Sequence, residues 1–165
     1  MIARLFGAWV FATICSSSAA LAYCDPAIDR TPPGEFKRSA FAGIVQVVRT
    51  TWLDDARRPA ALKPPLMLGI IPGGFDPYSG AQYRARVLRQ YKGQPHRFVT
   101  IFSENTEART PLTDGSKYVV FLYRVETGDE DERKGDLMID TCGNSVVLSK
   151  AGALLPALDR LARQP

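Results

Sequence analysis

Three cysteines, at positions 15, 24 and 142, constrain this 165-residue chain more than any other feature. The first 22 residues have the three parts of an export signal. Arg4 gives a positive start, Leu5 to Cys15 is apolar, and Ala20-Leu21-Ala22 is a small-residue cleavage site. Cleavage is therefore expected between Ala22 and Tyr23, and Cys15 leaves with the signal. Cys24 and Cys142 remain and bracket almost the whole mature chain. An exported protein meets an oxidising compartment, where two distant thiols can become one long-range bridge. Two thiols allow a single pairing.

Removing the signal leaves 143 residues, the size of one ordinary domain. The segment removed contains Arg4 and no acid, so the formal charge falls from +4 to +3. That charge is weak and evenly spread, and it does not mark a nucleic-acid binder. No other apolar run reaches the roughly 18 residues a membrane span requires. The mature chain is thus expected to be soluble, secreted or periplasmic, without a membrane span. Leu21-Ala22-Tyr23-Cys24 ends in cysteine as lipoprotein signals do. Tyr23 is bulky where lipid attachment wants a small residue, and an acylated Cys24 would be lost to the disulfide.

Along the mature chain, residues 25 to 34 (DPAIDRTPPG) read as an irregular, proline-rich lead-in, followed by a helical turn over Glu35 to Arg38. Ala40 to Trp52 is dense in β-branched and aromatic residues and predicts a long first strand, with Gly43 marking a bulge. Leu53 to Ala81 carries five prolines and four glycines, which exclude a regular helix or central strand. Inside this long loop, Leu66, Met67, Leu68, Ile70 and Ile71 form an apolar piece that either packs back on the domain or contacts a partner. Gln82 to Gly93 alternates as a half-buried strand, and Arg97 to Ser103 completes a hairpin with it. Asp114-Gly115 is a strong turn pair before Lys117 to Arg124, a nearly continuous apolar strand. Glu126 to Gly135 is a charged hairpin tip and Asp136 to Cys142 a fifth strand. Leu154, Leu155, Leu158 and Leu161 have helical spacing, with Ser149 as candidate cap and Pro156 confined to the first turn. Five strands and a terminal helix, without βαβ alternation, predict a small closed barrel.

The order of these features resembles the netrin-like domain, the OB-fold module found in tissue inhibitors of metalloproteinases and in bacterial secreted relatives. A cysteine follows the signal (Cys24), and the strand FAGIVQVVR starts at Phe41. An aromatic-Lys-Gly turn falls at Tyr91-Lys92-Gly93, and the next strand runs from Phe98 to Phe102. The run from Asp114 to Phe121 looks like the family's G-x-x-Y-L-V-F strand. Asp140-Thr141-Cys142-Gly143-Asn144 is similar to the late cysteine segment before a leucine-bearing helix. The resemblance spans nearly all of residues 24 to 163. It implies a mainly β chain: a five-stranded OB-fold Greek-key barrel over residues 23 to 165, with a C-terminal helix and a Cys24–Cys142 staple. The family usually opens Cys-x-Cys with a further cysteine after the third strand. Here the opening is Cys24-Asp25-Pro26, and Ser103 to Leu112 has no cysteine.

In the animal inhibitors that the chain resembles, an N-terminal cysteine chelates the protease zinc through its free amine and carbonyl, which suits an open zinc position. Tyr23 in front of Cys24 displaces that pair. Enzyme chemistry has little to build on. His96 is the sole histidine, beside Pro95 in a turn, with no spaced nucleophile. The acidic groups Asp54-Asp55 and Asp129-Glu130-Asp131-Glu132 lack the spacing of a calcium loop, and no phosphate-binding glycine loop is present. Tyr83, Arg84, Arg86, Arg89, Tyr91 and Lys92 would suit a single-stranded nucleic-acid face, but alternation sends the tyrosines inward and leaves the arginines solvated. The expectation is a non-catalytic module, without cofactor or metal, that binds an extracytoplasmic protein partner. The alternative is a metalloprotease inhibitor. Candidate partner-binding residues are Tyr23, Cys24 and the apolar piece of the long loop.

Overall fold

Strands β1 (Phe41–Leu53) and β4 (Lys117–Arg124) carry apolar side chains on both faces, and this decides the architecture. In the computed structural model, which describes residues 24–60, 79–104, 110–128 and 133–164, the two pair antiparallel, with Phe41 opposite Leu122 and Ile44 opposite Val119. Phe41, Val45, Val120 and Leu122 point into one core, with Tyr83 and Ile101. Ala42, Val119 and Phe121 point the other way, into a second core with Leu158. A strand buried on both sides reads as a continuous apolar run rather than an alternating one, which is the pattern of KYVVFLYR.

The sheet is antiparallel and six-stranded, ordered β3-β2-β1-β4-β5, with β2 at Gly80–Lys92, β3 at Phe98–Glu104, β5 at Leu137–Ile139 and β6 at Val146–Val147. The sequence predicts five strands; the two-residue β6 pairs with β4 at Tyr118 and Val119 and makes a sixth. β5 is shorter than expected and ends at Ile139, because Asp140 turns the chain away. The edge strands β3 and β5 approach each other. Gly43 sits at a register shift between β1 and β2, as expected. A Cβ there would lie 2.7 Å from the Arg89 carbonyl, so only glycine allows the approach.

Helices cover the outer faces of β1 and β4. Helix α1 spans Pro32–Arg38, three residues earlier than the sequence suggests. Its two prolines do not break it, because they sit in the first turn, where N–H groups have no helical acceptor, and the Thr31 hydroxyl accepts from the Gly34 N–H. At its other end Lys92 Nζ donates to the Phe36 and Lys37 carbonyls, both at 2.7 Å. Helix α2 spans Leu154–Leu161 and buries Leu158 completely, with Pro156 in its first turn as predicted. Its cap is Ala153 rather than Ser149, which falls in a 3-10 turn over Leu148–Lys150. Among the described residues no helix is long and apolar enough to cross a membrane.

Candidate functional site

Two regions concentrate polar chemistry. The first is a corner built where α1 meets the segment after β5. Cys24 and Cys142 are bonded there, with Cα atoms 5.9 Å apart across 118 positions of sequence. The expected staple is present. Cys24 and residues 25–27 are exposed, while Cys142 is half-buried. Asp140 organises the turn: one carboxylate oxygen accepts from the Cys142 N–H at 3.0 Å, and the other faces Arg30 Nε at 3.3 Å. Arg30 also donates to the Asp25 carbonyl, which ties the exposed leading segment to the same network.

Glu35, only 3% exposed, lies behind this turn. Its Oε2 accepts from the Asn144 backbone N–H and from Asn144 Nδ2, each at 2.7 Å. Asn144 Nδ2 also donates to the Arg30 carbonyl at 2.6 Å. Glu35 Oε1 has no partner among the described residues and packs where a Cβ at Gly143 would fall. Loss of water raises the Glu35 carboxyl above its usual range, and the two Asn144 bonds offset only part of that effect. Outside the corner, a groove of about 450 Å³ is lined by Pro32, Asn144, Lys150 and Leu154.

The second region is the outer surface where β3 faces β5. Across the β2–β3 ladder, Gln82 stands opposite Phe102, Arg84 opposite Thr100 and Arg86 opposite Phe98, so these six share one face. The Arg84 guanidinium lies 4.7 Å from the Phe98 ring centre and Arg97 lies 5.7 Å from it. Phe102 is covered by Arg57 at 3.7 Å. Arg57, in a left-handed conformation (φ 58°), pairs with Asp136 at 2.6 Å and so pins the turn after β1 to the β4–β5 hairpin. A cleft of about 360 Å³ opens beside these rings, lined by His96, Phe98, Thr100, Phe102, Arg124 and Leu137 among others.

Of the residues singled out from sequence, the structure joins Cys24 to Cys142. Ala22, Tyr23, Leu66, Met67, Leu68, Ile70 and Ile71 lie outside the described residues. His96 is exposed in its turn but borders the cleft. Tyr83 enters the main core and Tyr91 the second, where burial pushes its phenol up. Arg84 and Arg86 are exposed, as alternation predicts; Arg89 is exposed too, although it shares the parity of Tyr83, because the β1–β2 register shifts between Val87 and Arg89. Sequence reasoning missed Glu35, which nothing in PPGEFKR marks as buried, and the Arg57–Asp136 pair. Among the described residues no three His, Cys, Asp or Glu side chains gather as a metal site. Compared with known families and curated proteins, the chain matches no family model and no curated protein.

Proposed function

We propose that the chain is an exported, non-catalytic protein-binding module, a closed netrin-like OB barrel that presents its clasped leading segment to an extracytoplasmic partner. Support for the barrel comes from the sheet order and from the approach of β3 to β5. Support for binding comes from one observation: residues 24–27 are exposed yet held by a disulfide and by Arg30. An exposed segment fixed before a partner arrives costs less ordering entropy on docking. The adjoining groove gives such a partner a concave wall. A photoreactive residue in place of Ala27 tests the reading in envelope and culture fractions. A defined, disulfide-dependent crosslink is expected. Labelling that is diffuse, or identical when Cys24 and Cys142 are both serine, removes it.

The same exposed Cys24 favours a second reading, inhibition of a metalloprotease by the leading residues. It requires the mature amine to reach the zinc. Mass measurement of the mature N-terminus and an inhibition panel separate the two: a start at Tyr23 with no inhibition leaves the binding module alone.

A further inference from the structure

Two β-bulges between β1 and β2 turn aliphatic side chains to the outside of the sheet. The ladder pairs Ile44 with Arg89 and Val45 with Val87, which leaves Leu88 as an extra residue. It also pairs Val47 with Ala85 and Arg49 with Arg84, which leaves Val48 as another. Val48 is 45% exposed and Leu88 is 42% exposed, and among the described residues these are the large apolar side chains left in solvent. Bulges re-aim side chains. Each one here puts an aliphatic and the arginine after it on the outside together, Val48 with Arg49 and Leu88 with Arg89. The register sets the two aliphatics about 12 Å apart on neighbouring strands.

The face between them is basic. Arg84 stands directly opposite Arg49, Arg86 opposite Gln46, and Lys117 opposite Gln46 on its other side. All four cations are exposed, and none pairs with a carboxylate among the described residues. Like charges directly opposite on a sheet are destabilising, so the Arg49–Arg84 pair costs the fold stability. Arg86 Nη2 donates to Gln46 Oε1 at 2.7 Å, a neutral partner that holds the guanidinium on this face without cancelling its charge. Two nearby carboxylates are already engaged, Asp159 by Arg89 and Asp114 by the Thr50 hydroxyl.

Shape and backbone narrow the choice of ligand. The two clefts described above include neither Val48 nor Leu88. Around Gln46 and Arg86 the backbone is laddered on both edges, β1 to β2 and β4, and β2 to β1 and β3. The face therefore offers side chains rather than a strand edge, and a laddered backbone can lie against hydrocarbon without stranding its polar groups. Protruding aliphatics flanked by arginines call for a surface that is anionic outside and apolar beneath. A bilayer with anionic headgroups has that layering: short aliphatics enter its boundary, while long cationic side chains stay with the phosphates.

We propose that this outer face of β1 and β2 docks on an anionic bilayer surface. Val48 and Leu88 enter the headgroup boundary, and Arg49, Arg84, Arg86 and Lys117 meet lipid phosphates. The contact is peripheral: the chain lies on the membrane and does not cross it through this face. Lipid phosphate supplies the opposite charge that the Arg49–Arg84 pair lacks within the fold. The surface shares no residue with the clasped corner, and either can fail alone.

The probe is phosphatidylcholine vesicles containing about 30% phosphatidylglycerol, sedimented with the exported, disulfide-intact chain. Binding is expected within about 1 mM lipid, weaker as salt is raised and lost on pure phosphatidylcholine. Each cation near an anionic surface is worth about fivefold. Arg49→Gln/Arg86→Gln should therefore lose at least about tenfold, and its thermal midpoint should not fall, because the Arg49–Arg84 repulsion is relieved. Val48→Thr/Leu88→Gln keeps side-chain size at two exposed positions and should also lose at least about tenfold with the midpoint retained. The control Lys134→Gln/Lys150→Gln removes two exposed charges elsewhere and should bind like the parent. Brominated acyl chains should quench Leu88→Trp and leave Lys134→Trp unchanged. The proposal is overturned if no chain sediments with the anionic vesicles at about 1 mM lipid, or if the control loses as much as Arg49→Gln/Arg86→Gln. It is equally overturned if Val48→Thr/Leu88→Gln binds like the parent, or if a sulfated polysaccharide captures the chain and the vesicles do not.

Discussion

The corner at Cys24 and the cleft at β3 are both rich in charge, but they dispose of it in opposite ways. In the corner, Asp140, Arg30, Glu35 and Asn144 are bonded to one another and to backbone groups, and one covalent link holds the segment in place. At the cleft, Arg84 and Arg97 lie beside the Phe98 ring and Arg124 donates to the Gly135 carbonyl, and none of the three pairs with a carboxylate among the described residues. A network that satisfies all its members but Glu35 Oε1 mainly holds structure. Groups left without internal partners contribute little to stability and remain free for a ligand. Substitutions in the corner should therefore cost stability, and substitutions at the cleft should not.

The largest effect tests the corner directly. Replacing Cys24 and Cys142 with serine opens a loop of 118 residues, which in a chain-entropy model costs on the order of 4–5 kcal/mol. Urea unfolding measures it, and amide exchange should rise first around residues 140–144. If exchange rises equally at β3, the corner is not a separately stabilised unit. Next is the core that seats the corner. Leu158→Ala, at the fully buried position of α2, should cost about 2–5 kcal/mol. Smaller still is Asn144→Ala, which strips Glu35 Oε2 of its side-chain donor and leaves it the backbone N–H alone. A loss of about 1–3 kcal/mol is expected; the backbone N–H bond survives the substitution, so the lower end applies. By contrast Arg84→Gln should stay within about 0.5 kcal/mol of the parent. Equal losses at Asn144 and Arg84 would erase the distinction.

How far this contrast is legible in the sequence depends on the range over which each contact acts. β4 is found at its true limits because burial on both faces writes an uninterrupted apolar run into the chain. The disulfide is legible because an export signal expected to carry Cys15 away would leave one pairing, and Cys24–Cys142 is the pair that is bonded. Helix α1 is placed late because Pro32-Pro33 looks like an interruption until Thr31 is seen to cap it. β6 has two residues, too few for any period. Glu35 and Asn144 meet across 109 positions and Arg57 and Asp136 across 79. Neither pair leaves a local pattern. The β3 cleft is half legible: alternation predicts exposed arginines, but not that Phe98 and Phe102 share their face.

The smallest effect discriminates most sharply between two accounts of Glu35, and pH separates them. Burial raises its carboxyl above the usual glutamate value of about 4.5, while the Asn144 donors pull the other way. If desolvation wins, the native state holds this proton more tightly than the unfolded chain. Stability associated with the neutral acid is then complete below about pH 4.5 and is lost as pH rises through the native value. Glu35→Gln keeps an oxygen for the Asn144 donors and cannot ionise. Its thermal midpoint should match the parent in acid and exceed it progressively as pH climbs above that point. If the hydrogen bonds win instead, the anion is the favoured form, the substitution destabilises at neutral pH, and the gap between variant and parent narrows on acidification. The sign of that pH dependence therefore shows whether the corner tolerates its buried charge or depends on it.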